Sequence, residues 1–314
     1  MPITPELSNN IALVKNYVDD PGNLYTVWRK GALTGDLETP FIMFIGARTI
    51  SYPVMPFKSD ELENYDPKKG YTRSGATLER REKTVTQDKG YQMGIDYLDL
   101  EDSHTTAVAY INNEVRQKDV PNIDKYRLSV LATDAHSTKV VTGAISKSNF
   151  FEKYDAAVNH FIDNEIPLVG TIMYVPTATY TAAKNSEQVK RFIEMKDKNI
   201  DRNFEYLDSQ TKIVVVPASR FPSGVEFILV QPAALICGFK HSVTRVVEEP
   251  EDFDGILINH RVVHDCFIQE DRGKGVYVAQ TTAPAAPAKL NETAPAEGQK
   301  TDSKTKTKPV AEEG

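Results

Sequence analysis

The segment INHRVVHDCF, residues 258–267, brings together the side chains of this chain that are best suited to chemistry. It contains two histidines, His260 and His264, followed by Cys266. Two histidines four residues apart on a helix make half of a zinc site, and a cysteine beside a histidine can serve as a nucleophile with its base. The third interpretation is a strand with buried, unreactive side chains. The secondary structure of the segment distinguishes the three.

Residue types favour a strand. The segment is rich in β-branched residues and lies between two turn-like sequences, DG at 254–255 and DRGKG at 271–275. Along a strand the two histidines share a face but lie about 13 Å apart, which is too far for one ion. Arg261 also stands where the helical zinc motif has its glutamate. We therefore predict no metal site.

His264 and Cys266 share a strand face and lie close enough to interact, so a cytoplasmic hydrolase that uses this pair is an alternative function. The same face holds isoleucines and a valine, which favours an inert cysteine in the core. Cys237 is the only other cysteine, and the two could form one bridge. Because MPITPELSNN has neither the basic start nor the apolar core of a signal peptide, we expect cytoplasmic folding and free, buried thiols.

No other motif indicates catalysis. The sequence has no GxGxxG, P-loop or GxSxG, so we predict neither an enzyme nor a cofactor. Asp96, Asp99, Glu101 and Asp102 form an acidic cluster that could bind a cation, but directly before a helix they more simply favour its positive end. The net charge of −7 argues against a surface that grips nucleic acid, and no apolar run is long enough to cross a bilayer.

The elements that must position these residues form an α+β pattern. Hydrophobic periodicity predicts a helix over 102–118 that Pro121 closes, a second helix that Pro121 begins, and further helices over 148–165 and 177–196. Strand-like runs follow at LVGTIMYVP, TKIVVVPA, GVEFILVQ and GILINHRVVHDCFIQ. Strands and helices do not alternate regularly, which excludes a repeated βαβ architecture.

Three segments look dependent on partners or disordered. Two strand-like runs flank a long polar excursion, residues 58–75, and an extended hairpin of this kind is typical either of an assembly protein, in which a partner surface holds it, or of a functional lid. Residues 1–30 are mixed in character and are predicted to form an arm. The last 34 residues, 281–314, are rich in alanine, proline, lysine and threonine and are predicted to be disordered.

The order of four stretches resembles the major capsid proteins of tailed bacteriophages, the Hong Kong 97-like fold family. These stretches are NYDPKKGYTRSG (64–75) with TVTQDKGYQMGIDYLDLED (84–102), VPNIDKYRLSVLA (120–132), VPASRFPSGVEFILVQPAAL (216–235), and DFDGILINHRVVHDCFIQEDRGKGVY (252–277). The last stretch is similar to the closing strand pair of the family, with DRGKG as its turn.

The resemblance implies a division of the chain. It consists of an N-terminal arm and lead-in strand (1–45), an extended hairpin loop or E-loop (46–92), a peripheral domain with a long spine helix (93–140 and 251–280), an axial domain (141–250) and a disordered tail (281–314).

The resemblance also implies a function. The chain would self-assemble through pentamers and hexamers into an icosahedral shell around phage DNA, with a portal and a separate scaffolding protein as partners. Assembly would take place in the host cytoplasm, without a membrane, and the product would be the virion capsid. An encapsulin-like nanocompartment shell is the alternative of the same fold.

Overall fold

The computed structural model describes residues 4–39, 43–45, 48–54, 65, 67–68, 79–187, 206–207, 210–248 and 250–281. The predicted disordered tail lies outside the described residues except for Thr281. Most of the polar excursion and the end of the helix expected over 177–196 also lie outside them. The helices are α1 (Pro5–Asp19), α2 (Pro21–Gly31), α3 (Tyr97–Asp102), α4 (His104–Glu114), α5 (Val120–Thr133), α6 (Phe150–Asp163) and α7 (Thr177–Lys184). Within the described ranges, none of them is long and apolar enough to cross a membrane.

The strands form three sheets. Their bounds are β1 (Met43–Ile45), β2 (Thr49–Pro53), β3 (Arg80–Thr84), β4 (Gln87–Asp96), β5 (Thr138–Val141), β6 (Ile172–Pro176), β7 (Tyr206–Leu207), β8 (Thr211–Val216), β9 (Val225–Val230), β10 (Leu235–Glu248), β11 (Gly255–Ile268) and β12 (Val276–Gln280). The sheet orders are β1-β2-β3, β10-β11-β4 and β5-β12-β9-β6-β8-β7.

The N-terminal residues fold onto their own chain, which differs from the predicted arm. Helices α1 and α2 begin at side-chain caps, where Thr4 accepts from the N–H of Leu7 and Asp20 accepts from the N–H of Gly22. They contribute six residues to one core with α4, β4 and β11, namely Leu7, Ile11, Val14, Val18, Leu24 and Trp28. The spacing of the first four is that of one helical face, a signal that the sequence interpretation overlooked.

One helical rod runs from 104 to 133, contrary to the prediction that Pro121 separates two helices. Helix α4 passes into a π turn, Val115–Asp119, and then into α5. In that turn the N–H of Val120 donates to the carbonyl of Val115, five residues earlier. Because the wider turn displaces the preceding carbonyls, it accommodates the proline, which lacks a donor and needs room for its ring.

Strand β11 is the centre of the three-stranded sheet, antiparallel to both β10 and β4. The prediction of a strand here is confirmed, but β10 was not predicted. Its ladder shifts register between His241 and Val243, and such a bulge interrupts the alternation by which strands are recognised.

The expected hairpin of β11 with the next strand is wrong. The DRGKG segment lies in a 3-10 turn, Glu270–Gly275, which carries the chain into a different sheet. There β12 pairs antiparallel with β9 and parallel with β5. Glycine is required within this turn because a Cβ at Gly273 would lie 2.3 Å from the carbonyl oxygen of His136.

The six-stranded sheet is covered on both faces. Alternate residues of β6, β9 and β12 point to opposite sides, as the period of a strand requires. One set packs against α6, with Phe150, Tyr154 and Phe161 in the contact. The other set packs against α5 through Leu128 and Leu131. The result is a helix–sheet–helix arrangement of layers.

Strands β2 and β3 form the predicted pair around the polar excursion. Their register runs from Thr49 opposite Thr84 to Pro53 opposite Arg80. The pair is attached to the body by a small apolar cluster of Ile50, Val85, Ile236, Val263 and Phe267.

A buried ionic network joins the N-terminal segment, the helical rod and the six-stranded sheet. The carboxylate of Asp124, fully buried on α5, accepts hydrogen bonds from the Thr34 N–H at 3.0 Å and from Arg220 at 3.3 Å. The guanidinium of Arg127, also fully buried, donates to the Thr34 carbonyl at 3.0 Å and lies over the Trp28 ring, 5.0 Å from its centroid.

The register of β11 against β4 can be tested at Gly255. A Cβ at this position would lie 2.2 Å from the carbonyl oxygen of Ile95 and 2.5 Å from the ring of Phe253. We expect Gly255→Ala to lower the free energy of unfolding by roughly 1–3 kcal/mol, because β11 must move away from β4. Scanning calorimetry of the full chain measures this change.

Gly22→Ala is the matched control for this substitution. Its added methyl would meet only the end of the flexible Asp20 side chain, at 3.1 Å. We expect a change within about 0.5 kcal/mol. Equal melting temperatures for Gly255→Ala and the parent chain would contradict the register.

Candidate functional site

Strand β11 places His260, His264 and Cys266 in the middle of the three-stranded sheet, where each residue is 2% exposed. Their neighbours on the strand, Ile258 and Val262, belong to the core beneath the helical rod. The three side chains that the sequence singled out therefore lie inside the protein, as expected for a strand at the centre of a sheet.

His260 connects the sheet to the helical rod. Its Nε2 lies 2.7 Å from the Oδ2 of Asp119, the last residue of the π turn, and its ring packs edge-on against Tyr91 at 5.1 Å. Both members of the His260–Asp119 pair are buried. The role of His260 in the structure is to hold two elements together.

His264 is poorly suited to act as a base. Its ring packs edge-on against Tyr126, with 5.3 Å between centroids. Burial, assisted by the positive charges of Arg127 and Lys89, lowers the pKa of His264 to about 3. Efficient general bases have pKa values near the working pH, so this imidazole gives little driving force for proton abstraction at pH 7.

Cys266 forms a disulfide with Cys237, so the prediction of free thiols is wrong. The two residues are directly opposed in the ladder of β10 and β11, with Cα atoms 4.2 Å apart. The sequence did not reveal this proximity because β10 was not predicted. Since only a thiolate acts as a nucleophile, the His264–Cys266 pair of the hydrolase alternative is not assembled.

The acidic cluster before the helical rod has structural partners. Asp96 is the N-cap of α3 and accepts from the N–H of Leu98 at 2.8 Å. Glu101 accepts from the hydroxyl of Thr4 at 3.3 Å. Throughout the described part of the chain, no three His, Cys, Asp or Glu side chains are grouped so that they could hold a metal ion.

Asp265 is a structural residue that the sequence interpretation missed. Its carboxylate accepts from the Thr86 N–H at 2.9 Å and from the Tyr126 hydroxyl at 2.7 Å, so it joins the corner between β3 and β4 to α5. Burial and this hydrogen bond raise the pKa of Tyr126 to about 12. An aspartate within an otherwise apolar strand was the available signal.

Asp88 makes a second connection at the base of the hairpin. It accepts from Arg261 on β11 at 2.7 Å and from Arg48, just before β2, at 2.6 Å. The hydrogen bond from Arg261 is the largest of the effects that lower the pKa of Asp88 to about 2. The residues that could have done chemistry here instead fasten the hairpin to the sheet.

The overall fold of the chain is similar to that of known particle-forming proteins. No protein-family model matches the chain, and no protein of described function matches its sequence. A virus-like particle from Pyrococcus furiosus has a TM-score of 0.52 and 10% identity, covering 82% of this chain and 96% of that chain. The capsid of an empty GTA particle has a TM-score of 0.50 and 13% identity, covering 81% and 90%. A structure from Mycobacterium phage Che8 has a TM-score of 0.46 and 14% identity, covering 75% and 85%.

The similarities to the virus-like particle and to the GTA capsid establish the fold class. The chain has the α+β fold of Hong Kong 97-like shell proteins, as the sequence predicted. Because the sequence identities are only 10% and 13%, these two structures show the fold and do not by themselves show the function.

The buried, neutral state of His264 predicts a pH dependence of stability. The unfolded chain takes up a proton on this residue near its ordinary pKa of 6.5, whereas the folded chain does so only near 3. Stability therefore falls as the pH falls through this window. We expect the parent chain to lose roughly 1–3 kcal/mol more than His264→Phe between pH 6.5 and 4.5.

Thermal unfolding at several pH values measures this difference, with all variants compared in the same assembly state. His136→Gln is the control, because this histidine is exposed and glutamine can still donate a hydrogen bond to Asp134. Parallel pH profiles for His264→Phe and the parent chain would contradict the low pKa of His264 in the folded chain.

Because the Asp265 carboxylate accepts two hydrogen bonds from other elements, we expect its removal to lower the free energy of unfolding by more than one hydrogen bond is worth. We expect Asp265→Ala to lower the free energy of unfolding by about 2–3 kcal/mol, because it leaves the Thr86 N–H and the Tyr126 hydroxyl without their acceptor. Asp163→Ala, at an exposed position on α6, is the control and should change stability by less than about 0.5 kcal/mol. Equal effects of the two substitutions, measured by calorimetry, would exclude the connection.

Proposed function

We propose that this chain is the major capsid protein of a tailed bacteriophage. It assembles through pentamers and hexamers into an icosahedral shell that encloses double-stranded DNA. The observation that carries the proposal is a fold shared over more than four fifths of the chain with a capsid and a virus-like particle.

The arrangement of the elements supports a division of the chain into segments with different positions in the shell. Residues 46–92 form the extended hairpin loop, 93–140 and 251–280 the peripheral domain with its spine helix, and 141–250 the axial domain. Residues 1–45 precede the hairpin, and 281–314 form the tail. Strand β12 is the exception, because it completes the six-stranded sheet formed mainly by the axial segment.

The chemistry of the described residues suits a structural role. The polar side chains that the sequence singled out join elements of the same chain, and Cys266 is held in a disulfide. The net charge of −7 suits a container, since a strongly basic inner wall would adhere to the packaged DNA. A portal and a separate scaffolding protein are the proposed partners in assembly, which takes place in the cytoplasm of the host bacterium and produces the virion.

A nanocompartment shell that encloses a protein cargo is the second candidate. The likeness to the virus-like particle from Pyrococcus furiosus favours it, with a TM-score of 0.52. The contents of purified particles distinguish the two functions. Nuclease-protected DNA of uniform length supports the capsid, whereas a co-purifying enzyme and no DNA support the nanocompartment.

Shell formation can be tested with a hairpin deletion. Val54 and Glu79 are hydrogen-bonded across the hairpin at 2.9 Å, so a short Asn-Gly turn can replace residues 55–78 without disturbing the body. We expect the full chain, alone or with its scaffolding protein, to form closed shells or five- and six-membered rings in electron micrographs. The shortened chain should melt at the same temperature but remain unassembled.

Deletion of residues 282–314 is the matched control, since it removes more residues from a segment outside the described core. This variant should still assemble. A full chain that remains a small monomer under all of these conditions would contradict the proposal.

A further inference from the structure

A cavity of about 380 Å³ lies between the helical rod and strands β4 and β11. Its walls include Lys118 and Asp119 of the π turn, Lys89 and Tyr91 of β4, and His264 of β11. This volume is in the range of small-molecule sites, and much of the lining is polar. A gap of this size that is lined partly by polar groups can hold a polar occupant.

Two buried polar atoms of residues in the wall, the hydroxyl of Tyr91 and the Nδ1 of His264, have no hydrogen-bond partner within the described part of the chain. The Nδ1 of His264 makes no hydrogen bond, although the residue is only 2% exposed. Leaving such an atom unsatisfied costs free energy, which a hydrogen-bonding ligand in the cavity would recover. With its proton on Nδ1 the neutral ring is a donor.

Of the charged side chains in the described wall, Lys89 alone has no partner, since Lys118 is paired with Glu114 and Asp119 with His260. Lys89 forms no hydrogen bond or ion pair with any described residue, so its ammonium is available. Asp119, the negative group in the wall, is engaged by His260 at 2.7 Å. Burial, together with the charges of Asp119 and Glu114, raises the pKa of Tyr91, so its hydroxyl keeps a proton that it can donate.

We propose that this cavity binds a carboxylate group, with the ammonium of Lys89 as its counter-charge and Tyr91 and His264 as hydrogen-bond donors. A carboxylate only accepts hydrogen bonds, which matches these donors. A phosphate concentrates nearly two negative charges on one group at pH 7, whereas each carboxylate carries one, so a single lysine beside Asp119 suits a phosphate less well.

The carboxylate has two possible sources. It belongs either to a small free acid or to an aspartate or glutamate side chain of a second copy of this chain. The inference concerns the folded chain and does not require that shells form, so a failure of the capsid proposal leaves the first arm of the test intact.

The first arm measures binding of glutarate to the full chain by titration calorimetry at constant ionic strength. We expect Lys89→Gln to weaken binding roughly tenfold, because it removes the counter-charge and leaves a neutral polar side chain of similar size. Lys125→Gln, on the exposed side of α5 and outside the cavity wall, is the control and should leave binding unchanged. Melting curves verify that each variant is folded.

The second arm identifies the source by zero-length carbodiimide cross-linking, which joins an amine to a carboxylate in contact with it. A cross-link from Lys89 to an acidic residue of another copy, found only in assemblies that no longer bind glutarate, assigns the site to a second copy. Glutarate binding that persists in assemblies without this cross-link assigns it to a free acid. Glutarate binding that is absent or insensitive to Lys89→Gln, together with no Lys89 cross-link, overturns the proposal.

Discussion

Two buried charges on α5, those of Asp124 and Arg127, are the constraint around which the described structure is organised. A carboxylate and a guanidinium with no solvent exposure are tolerable only if hydrogen bonds satisfy them. Their partners come from the segment after α2, through Thr34, and from the loop before β9, through Arg220. The N-terminal helices, the helical rod and the six-stranded sheet must therefore meet at this point, because separating any one of them would leave a charge buried without its partners.

The π turn allows a single helical rod to serve two cores. Before and within the turn, Ile111 and Val115 pack with the N-terminal helices and the three-stranded sheet. Beyond it, Leu128 and Leu131 pack against the six-stranded sheet. The extra residue in the turn rotates the following face of the helix by about 100°, as expected from 3.6 residues per turn. The same turn presents Asp119 to His260, so the irregularity is fastened to the sheet beneath it.

Residue types that suggest catalysis have mechanical roles in this protein. His260 joins sheet to helix, and Asp265 and Asp88 fasten the base of the hairpin. Each connection places a polar group where its loss would leave a buried or bridging partner unsatisfied. The short strands β2 and β3 need such connections, since a small isolated β-structure is marginally stable by itself. These structural roles agree with the proposed function of forming a shell.

The sequence by itself determined the α+β class, the strand at 255–268, the paired strands around the polar excursion and the absence of the GxGxxG, P-loop and GxSxG motifs. These follow from local periodicity and residue type, which act over a few neighbours in the chain. It did not determine β10, whose bulge breaks the alternation, or the continuous rod through Pro121, which depends on a wider helical turn.

Only the tertiary structure decided which distant residues meet. Cys237 and Cys266 are paired because β10 lies beside β11, and β12 leaves β11 because its apolar residues on both faces fit between two helical layers. The cavity beside His264 likewise exists because a helix and two strands leave room for it. Contacts between residues far apart in sequence carry no local pattern, so their physical consequences become visible only after folding.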